Sequence, residues 1–266
     1  MNRTTMIGVA GCGRMGAGML AHLRAAGFTA RGYDVIDGRG DAAPLDTFRD
    51  GLQTLISVVR DTAETDALLF DDQGLATCPT VQTIIISSTL PPPYVTALRA
   101  RVPAHIALID APMSGAQVRA EAGTLSFMLG GADADIAAHM PLFEAMGTSF
   151  HHMGAYGTGM TAKVLNNLLA ASNTAMTRLV LDWADAAKLD EDKLLSLIHA
   201  SSGQNWFASG FNDIEFARDG LADDNSIGIL VKDVAAGLTM APDGADTTLP
   251  ETVQAAIAAL KPRAKP

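Results

Sequence analysis

A short apolar run, Met6-Ile-Gly-Val-Ala10, leads directly into Gly11-Cys12-Gly13-Arg14-Met15-Gly16, and Met19, Leu20 and Leu23 then recur at helical spacing as far as Gly27. No other stretch limits the fold so tightly. Apolar residues without alternation read as a strand buried on both faces. Three glycines between that strand and a helix have separate tasks: Gly11 permits a tight turn, Gly13 lets backbone approach a pyrophosphate, and Gly16 allows the helix to pack closely on the strand. The free N–H groups and positive dipole end of the helix then face the anion. A purely structural turn is the competing reading. Against it, a second strand, Thr29 to Tyr33, follows and ends in Asp34, 18 residues beyond Gly16. A carboxylate there can accept hydrogen bonds from the adenosine ribose hydroxyls and would repel a 2′-phosphate, so NAD is expected over NADP. Arg31 and Arg39 are the nearby cations that would work the other way, and a plain turn before Asp37-Gly38 is the competing role for Asp34.

Strands and helices continue to alternate: strand Leu55 to Val59, helix Thr62 to Phe70, strand Val81 to Ser87, a helix after Pro91-Pro92-Pro93, strands Ile106 to Ile109 and Leu125 to Leu129, helix Asp133 to Met146, and strand Ser149 to Met153. This is the pattern of an α/β domain with a doubly wound parallel sheet, whose ligands gather at the carboxyl ends of the strands. Val58 and Val59 stand at one such end. Ser87-Ser88-Thr89 stand at another, where capping the next helix explains them equally well. Asp110-Ala-Pro-Met-Ser114-Gly115-Ala116-Gln117 follows a further strand and offers a hydroxyl and backbone amides to a carboxylate, or simply makes a turn.

Gly154-Ala-Tyr-Gly157-Thr-Gly159 opens a helix expected to run from about 157 to 187. Some thirty residues make a rod of about 45 Å, long enough to bridge two domains. Val164, Leu165, Leu168, Leu169, Ala175, Met176, Leu179, Val180 and Trp183 predict one broad apolar face, with Lys163 and Asn167, four apart, on the opposite side. A solvated lysine on a polar surface is the ordinary reading of that pair. Beyond Leu189 only helices are expected: Asp192 to Ala200, Phe211 to Phe216, Ile227 to Met240 and Glu251 to Leu260. Lys232-Asp233 interrupts the apolar run before it, as an ion pair with a neighbour or as cleft residues. The tail Lys261 to Pro266 reads as frayed. Two domains follow, residues 1–154 and 155–266, as the length of 266 residues also favours.

A net charge of −10 argues against nucleic acid or an anionic membrane as partner. Two cysteines, Cys12 and Cys78, make no disulfide framework. The first strand begins within a few residues of Met1, leaving no room for a signal peptide, and a cytoplasmic protein is expected. His151-His152 is the one adjacent histidine pair, and successive strand residues face opposite ways, so no metal site is expected.

Taken together, these motifs resemble the β-hydroxyacid dehydrogenase family, the group that contains 3-hydroxyisobutyrate dehydrogenase and tartronate semialdehyde reductase. Gly11-x-Gly13-x-Met15-Gly16-x-x-Met19 is similar to its cofactor signature. Asp110-Ala-Pro-Met-Ser114-Gly115 through Gly123-Thr124-Leu125-x-x-Met128-x-Gly130-Gly131 is similar to its substrate signature, and Gly157-x-Gly159-x-x-x-Lys163-x-x-x-Asn167 to its catalytic one. Lys232-Asp233 matches a further cleft motif.

The resemblance implies a Rossmann domain, a long interdomain helix and an all-helical C-terminal domain, assembled as a homodimer or homotetramer. It makes Lys163 the general acid and base, with Asn167 positioning a small 3-hydroxyacid. Ser114, Gly115, Ala116 and Lys232 contact that substrate. Gly11, Cys12, Gly13, Arg14, Met15, Gly16, Asp34, Val58, Val59, Ser88 and Lys232 contact NAD. Ala116 replaces a glycine usual in the family and Arg119 a small residue, changes that bear on substrate choice. The chain also stops soon after the Glu251 helix, without the glycine- and aspartate-bearing segment that usually closes the family's last helices. Imine reductases are similar but replace the catalytic lysine, and 6-phosphogluconate dehydrogenases place a histidine where this chain has Asn166. A non-catalytic cofactor sensor or scaffold on the same fold would tolerate loss of Lys163 or Asn167, and both are present.

Overall fold

The structure is a computed structural model that describes residues 4–39, 42–222 and 225–265. Met1-Asn2-Arg3 and Pro266, to which the readings of the two chain ends refer, lie outside those residues. Contacts divide the chain into two compact units, Met1–Lys163 and Val164–Pro266.

The first unit runs β1 (Met6–Ala10), α1 (Gly16–Ala25), β2 (Ala30–Tyr33), α2 (Leu45–Arg49), β3 (Leu52–Ser57), α3 (Thr62–Leu69), a 3-10 turn at Leu75–Thr77, β4 (Thr83–Ile86) and α4 (Pro92–Arg101). It continues with β5 (Ala107–Asp110), β6 (Met113–Ser114), α5 (Ala116–Ala122), β7 (Leu125–Gly130), α6 (Asp133–Met146) and β8 (Gly147–Gly154). The strands form one sheet in the order β2-β1-β3-β4-β5-β7-β6, with β8 added on β7. The five strands from β2 to β5 are parallel, as the alternation predicts. Beyond them the sheet is mixed, because β5 and β6 both pair with β7 antiparallel. The Asp110–Gln117 stretch supplies that reversal: a two-residue strand and a short helix stand where a loop was expected.

Side chains of the central strands alternate between two cores. Ile7, Val9, Ile56, Ile85 and Ile109 pack on one face with Met19, Leu23, Phe127 and Phe143. Leu55, Ile84, Ile86 and Leu108 pack on the other with Phe48, Leu69, Val95 and Leu98. Period-two geometry divides consecutive apolar residues in this way and accounts for strands that are apolar throughout.

α7 (Thr158–Ala186) is a single helix of 29 residues, about 43 Å long, and the division between the units falls within it after Lys163. The second unit adds α8 (Glu191–His199), α9 (Trp206–Ser209), α10 (Ser226–Leu238) and α11 (Thr248–Ala258). The helix expected at 211–216 lies instead at 206–209. Asn205 caps it by accepting from Ala208 N at 3.0 Å, Gly210 ends it, and the following turns fold Phe211 and Phe216 back onto Phe207. A core of Ala171, Leu181, Phe207, Phe211, Ile227, Val234 and Ile257 holds this unit together.

The tail is tied down as far as Ala264. Arg263 donates to Glu191 Oε2 at 2.8 Å and to Asp182 and Asp185 at 2.9 Å, and its backbone N–H bonds Arg218 O. Proximity to a chain end says nothing about such contacts, because the acids lie 72 or more residues away in sequence.

Candidate active site

At the carboxyl ends of the parallel strands the glycine loop is shaped by close backbone approach. Gly11 has φ +93, and a Cβ there would lie 2.6 Å from Val58 O, while a Cβ on Gly16 would strike Gly11 O. Above Gly13 the space is open, with the Arg39 guanidinium nearest at 3.9 Å from a notional Cβ. Asp34, at the end of β2, is bonded to the same loop: Oδ2 accepts from Cys12 N and Oδ1 from Ile36 N, both at 2.9 Å. Arg31 turns away, its Nη1 donating to Thr47 O and Asp50 O at 2.6 and 2.9 Å. The Cys12 thiol is buried, and burial pushes its pKa up to about 11, so it stays a neutral thiol whose contribution to the loop is its backbone N–H.

Val58 and Val59 follow β3 and half-bury against the two cores. Ser88 is buried beyond β4, its Oγ 3.5 Å from Ser57 O. Beside it, the hydroxyls of Ser57 and Ser87 are buried with no hydrogen-bond partner among the described residues. An open glycine cradle, a carboxylate at the β2 tip and orphaned hydroxyls at the tips of β3 and β4 fit a dinucleotide laid across these strand ends.

The Ser114 loop is built differently. Gly115 takes φ +140 and Ala116 φ +55, a left-handed conformation that costs a non-glycine residue on the order of 1 kcal/mol. The aliphatic stem of Arg119 folds over Gly115: a Cβ on that glycine would lie 2.6 Å from Arg119 Cβ and 2.7 Å from its Cδ. Upstream, Asp110 is fully buried at the end of β5 and accepts backbone N–H groups from Gly157 at 2.6 Å and Met160 at 2.5 Å. Burial raises its pKa to about 6, with those donors and Gly159 N pulling the other way.

α7 departs in part from the expected amphipathic arrangement: Val164 is buried and Leu168 and Ala175 pack on the second unit's core, but other positions differ. Lys163 and Asn167 are 8% and 5% exposed, on a buried face continued by Ala171, Thr174, Arg178 and Leu181. Leu165, Leu169, Met176 and Trp183, which were expected to face a core, are 51 to 68% exposed. In the second unit Asn167 Nδ2 donates to Asp233 Oδ2 at 2.6 Å, and Asp233 is itself buried. Lys232, next to it on α10, has its Nζ 4.0 Å from Asp233 Oδ1.

The structure therefore joins Gly11, Gly16, Asp34 and Val58 around one loop and places Ser57, Ser87 and Ser88 at adjoining strand ends. Asn167 is joined to α10 through Asp233. Asp110 and Asp233 are quoted in the motifs above without a role, and each proves to be the partner that fixes a neighbouring motif. The available signal was a carboxylate in an otherwise apolar context. No group of three potential metal ligands occurs among the described residues, and no helix there is long and apolar enough to cross a membrane.

An α/β unit with a glycine-loop dinucleotide cradle, followed by a helical unit begun by a lysine-bearing helix, defines a nicotinamide-dependent oxidoreductase. Residues 6–154 match the NAD-binding domain of 6-phosphogluconate dehydrogenase, and residues 157–265 match the domain described as NAD-binding of NADP-dependent 3-hydroxyisobutyrate dehydrogenase. The NAD-dependent L-serine dehydrogenase of Pseudomonas aeruginosa is 30% identical over 93% of this chain and 88% of its own length. Human mitochondrial 3-hydroxyisobutyrate dehydrogenase is 29% identical over 92% and 76%. The solved 3-hydroxyisobutyrate dehydrogenase of Salmonella typhimurium shares the fold, with a TM-score of 0.80 at 22% identity over 94% of this chain and 92% of that one. The chain belongs to the β-hydroxyacid dehydrogenase family, and is an NAD(P)-dependent dehydrogenase of hydroxyacids.

Proposed function

We propose that the protein interconverts a small 3-hydroxyacid and its semialdehyde or oxo acid, with NAD in preference to NADP and Lys163 as general acid and base. One observation carries this reading: α7 buries Lys163 and Asn167, four residues apart, on one face of the helix. Burying a lysine head group costs free energy that exposing it would avoid. A helix that accepts that cost has its polar face committed to something other than stability.

When bound, the nicotinamide takes up or gives back the hydride at the substrate carbon that carries oxygen. In the oxidative direction the Lys163 amine takes the proton of the 3-hydroxyl as that hydride leaves; in the reductive direction the ammonium returns it. Ser114 and the amides of Gly115 and Ala116 hold the substrate carboxylate, and the strained Ala116 backbone with the Arg119 stem over Gly115 shapes what lies beside it. Asn167, whose amide donates to Asp233, is assigned to the hydroxyl-bearing end of the substrate, and Lys232 is a further candidate contact. L-serine and 3-hydroxyisobutyrate, named in the relatives above, share a carboxylate and a primary 3-hydroxyl and differ only at C2, so both belong in the first assay.

The test is a turnover screen of 3-hydroxyacids with wild type, Lys163→Ala and Lys163→Arg. General acid–base transfer contributes roughly 10² to 10⁴-fold, so the alanine variant should lose most of kcat while still binding NAD. The arginine variant should be nearly inactive too, since a guanidinium keeps its proton and cannot cycle as a base. Near wild-type turnover by Lys163→Arg would transfer the role to another residue such as Lys232. NAD binding by the wild type without turnover of any 3-hydroxyacid would favour a cofactor-sensing protein.

A further inference from the structure

Three stretches that are distant in sequence close on one carboxylate within the first unit. Asp110 ends β5, and its side chain accepts Gly157 N and Met160 N, one at each end of the first turn of α7. The glycines around it are there for contact. A Cβ on Gly159 would lie 2.5 Å from Met128 O and 2.9 Å from Asp110 O, and a Cβ on Gly130 would strike Asp110 Oδ1 and come within 2.8 Å of Gly159 N. The two glycine-bearing motifs, one before Lys163 and one at the end of β7, are thus two sides of a joint whose pin is Asp110.

The pin stands between the groups assigned to chemistry. Four residues after Asp110 comes Ser114, and three residues after Met160 comes Lys163. An ionised carboxylate that accepts the free N–H groups of a helix start fixes both where the helix begins and how it is rotated about its axis. A rotation there is carried to Lys163 within one turn.

We propose that Asp110 is a positioning residue for catalysis, fixing the start of α7 so that Lys163 stands at a set place relative to the Ser114–Gly115 loop. This rests on the acid/base reading of Lys163. An N-cap needed only for stability would be an odd use of this residue, because burial makes the charged form costly: the pKa is raised to about 6 despite the amide donors. The sign follows from that direction. A carboxyl whose folded-state pKa is raised contributes stability that is fully present below its ordinary value and is lost as pH rises through about 6. At neutral pH the charge therefore weighs against folding while completing the grip on α7. The other titratable or charged groups on this side are Tyr156, whose ionisation is pushed up first by burial and then by Asp110, and, around Tyr156, Arg99 and Tyr94 of α4.

The experiment follows the reductive reaction of wild type and Asp110→Asn between pH 5 and 8, alongside NADH binding, thermal stability and amide hydrogen exchange at Gly157, Gly159 and Met160. Low pH keeps Lys163 protonated, which the reductive direction requires, so an acid limb in kcat near pH 6 would not be its own. Wild type should show that limb in kcat with NADH affinity unchanged. Asp110→Asn should fold with a Tm within a few degrees of wild type at pH 7, bind NADH normally, exchange the three amides faster, and lose about 10²-fold in kcat with no limb near pH 6, as expected for a displaced catalytic group. A variant with wild-type kcat and pH profile would overturn the proposal. If the asparagine variant does not fold, the wild-type limb decides: its absence overturns the proposal and its presence sustains it. Failure of the catalytic reading looks different, since it removes 3-hydroxyacid turnover from wild type while leaving fast amide exchange in Asp110→Asn as the mark of the joint.

Discussion

Asp34 presents a negative charge at the β2 tip, beside the glycine loop. Its oxygens accept from Cys12 N and Ile36 N, bonds that hold the carboxylate at the β2 tip and leave lone pairs on each oxygen. A 2′-phosphate brought within about 4 Å would meet a repulsion of about 4 kcal/mol per unit charge at an effective dielectric of 20. We therefore expect kcat/KM with NAD to exceed that with NADP, and Asp34→Ala to narrow the gap. A wild-type preference for NADP would contradict this and would point to Arg39, whose guanidinium already lies beside Gly13, because Arg31 is engaged with the backbone of Thr47 and Asp50. The glycine loop and Asp34 were legible in the sequence because their geometry is local: strand, turn, helix and strand tip lie within 29 residues. Asp110 was not, since its partners are 47 and 50 residues away.

Elements were read well where periodicity is strong and poorly where packing overrides it. α6 appears at the expected Asp133–Met146, whereas β6 and α5, two and seven residues long, are too short to show a period, and β6 forms where β7 offers it an antiparallel partner. The tail is the clearest case. Arg263 and Arg218 converge on buried Glu191, and although burial alone would raise that carboxyl's pKa, the two guanidinium groups outweigh it and hold it below the ordinary range. A lowered carboxyl contributes stability present above its ordinary value and lost as pH falls, so the second unit should weaken in acid. Arg263→Ala should destabilise by on the order of 3 kcal/mol, since it strips one partner from a buried acid. Urea unfolding at pH 7 measures it, and an unchanged midpoint would mean the tail contributes nothing.

At the scale of the whole molecule the exposed stripe of α7 calls for a partner. Leu165, Leu169, Met176 and Trp183 recur at intervals of four and seven along one side of the helix, and a run of large apolar groups in solvent is the usual mark of an interface. We expect a homodimer or homotetramer in which a second copy covers this stripe. Light scattering should give a multiple of 27.7 kDa, and Leu169→Asp together with Trp183→Asp should reduce it. A wild-type monomer at micromolar concentration would refute the assembly.

The sequence by itself determined the dinucleotide cradle, the alternation that builds the α/β unit, the helical second half and the family, because each is written in short-range spacing that backbone geometry translates directly. Only the tertiary structure decided which face of α7 is buried, that β7 reverses the sheet, that Asp110 joins the Ser114 loop to the helix of Lys163, and that Asp233 holds Asn167. The apolar pattern of α7 misplaced Leu165, Leu169, Met176, Leu179 and Trp183 for a physical reason. Periodicity records which residues would prefer to leave water, and a helix that buries a lysine and an asparagine while exposing leucine and tryptophan follows constraints imposed by other parts of the molecule.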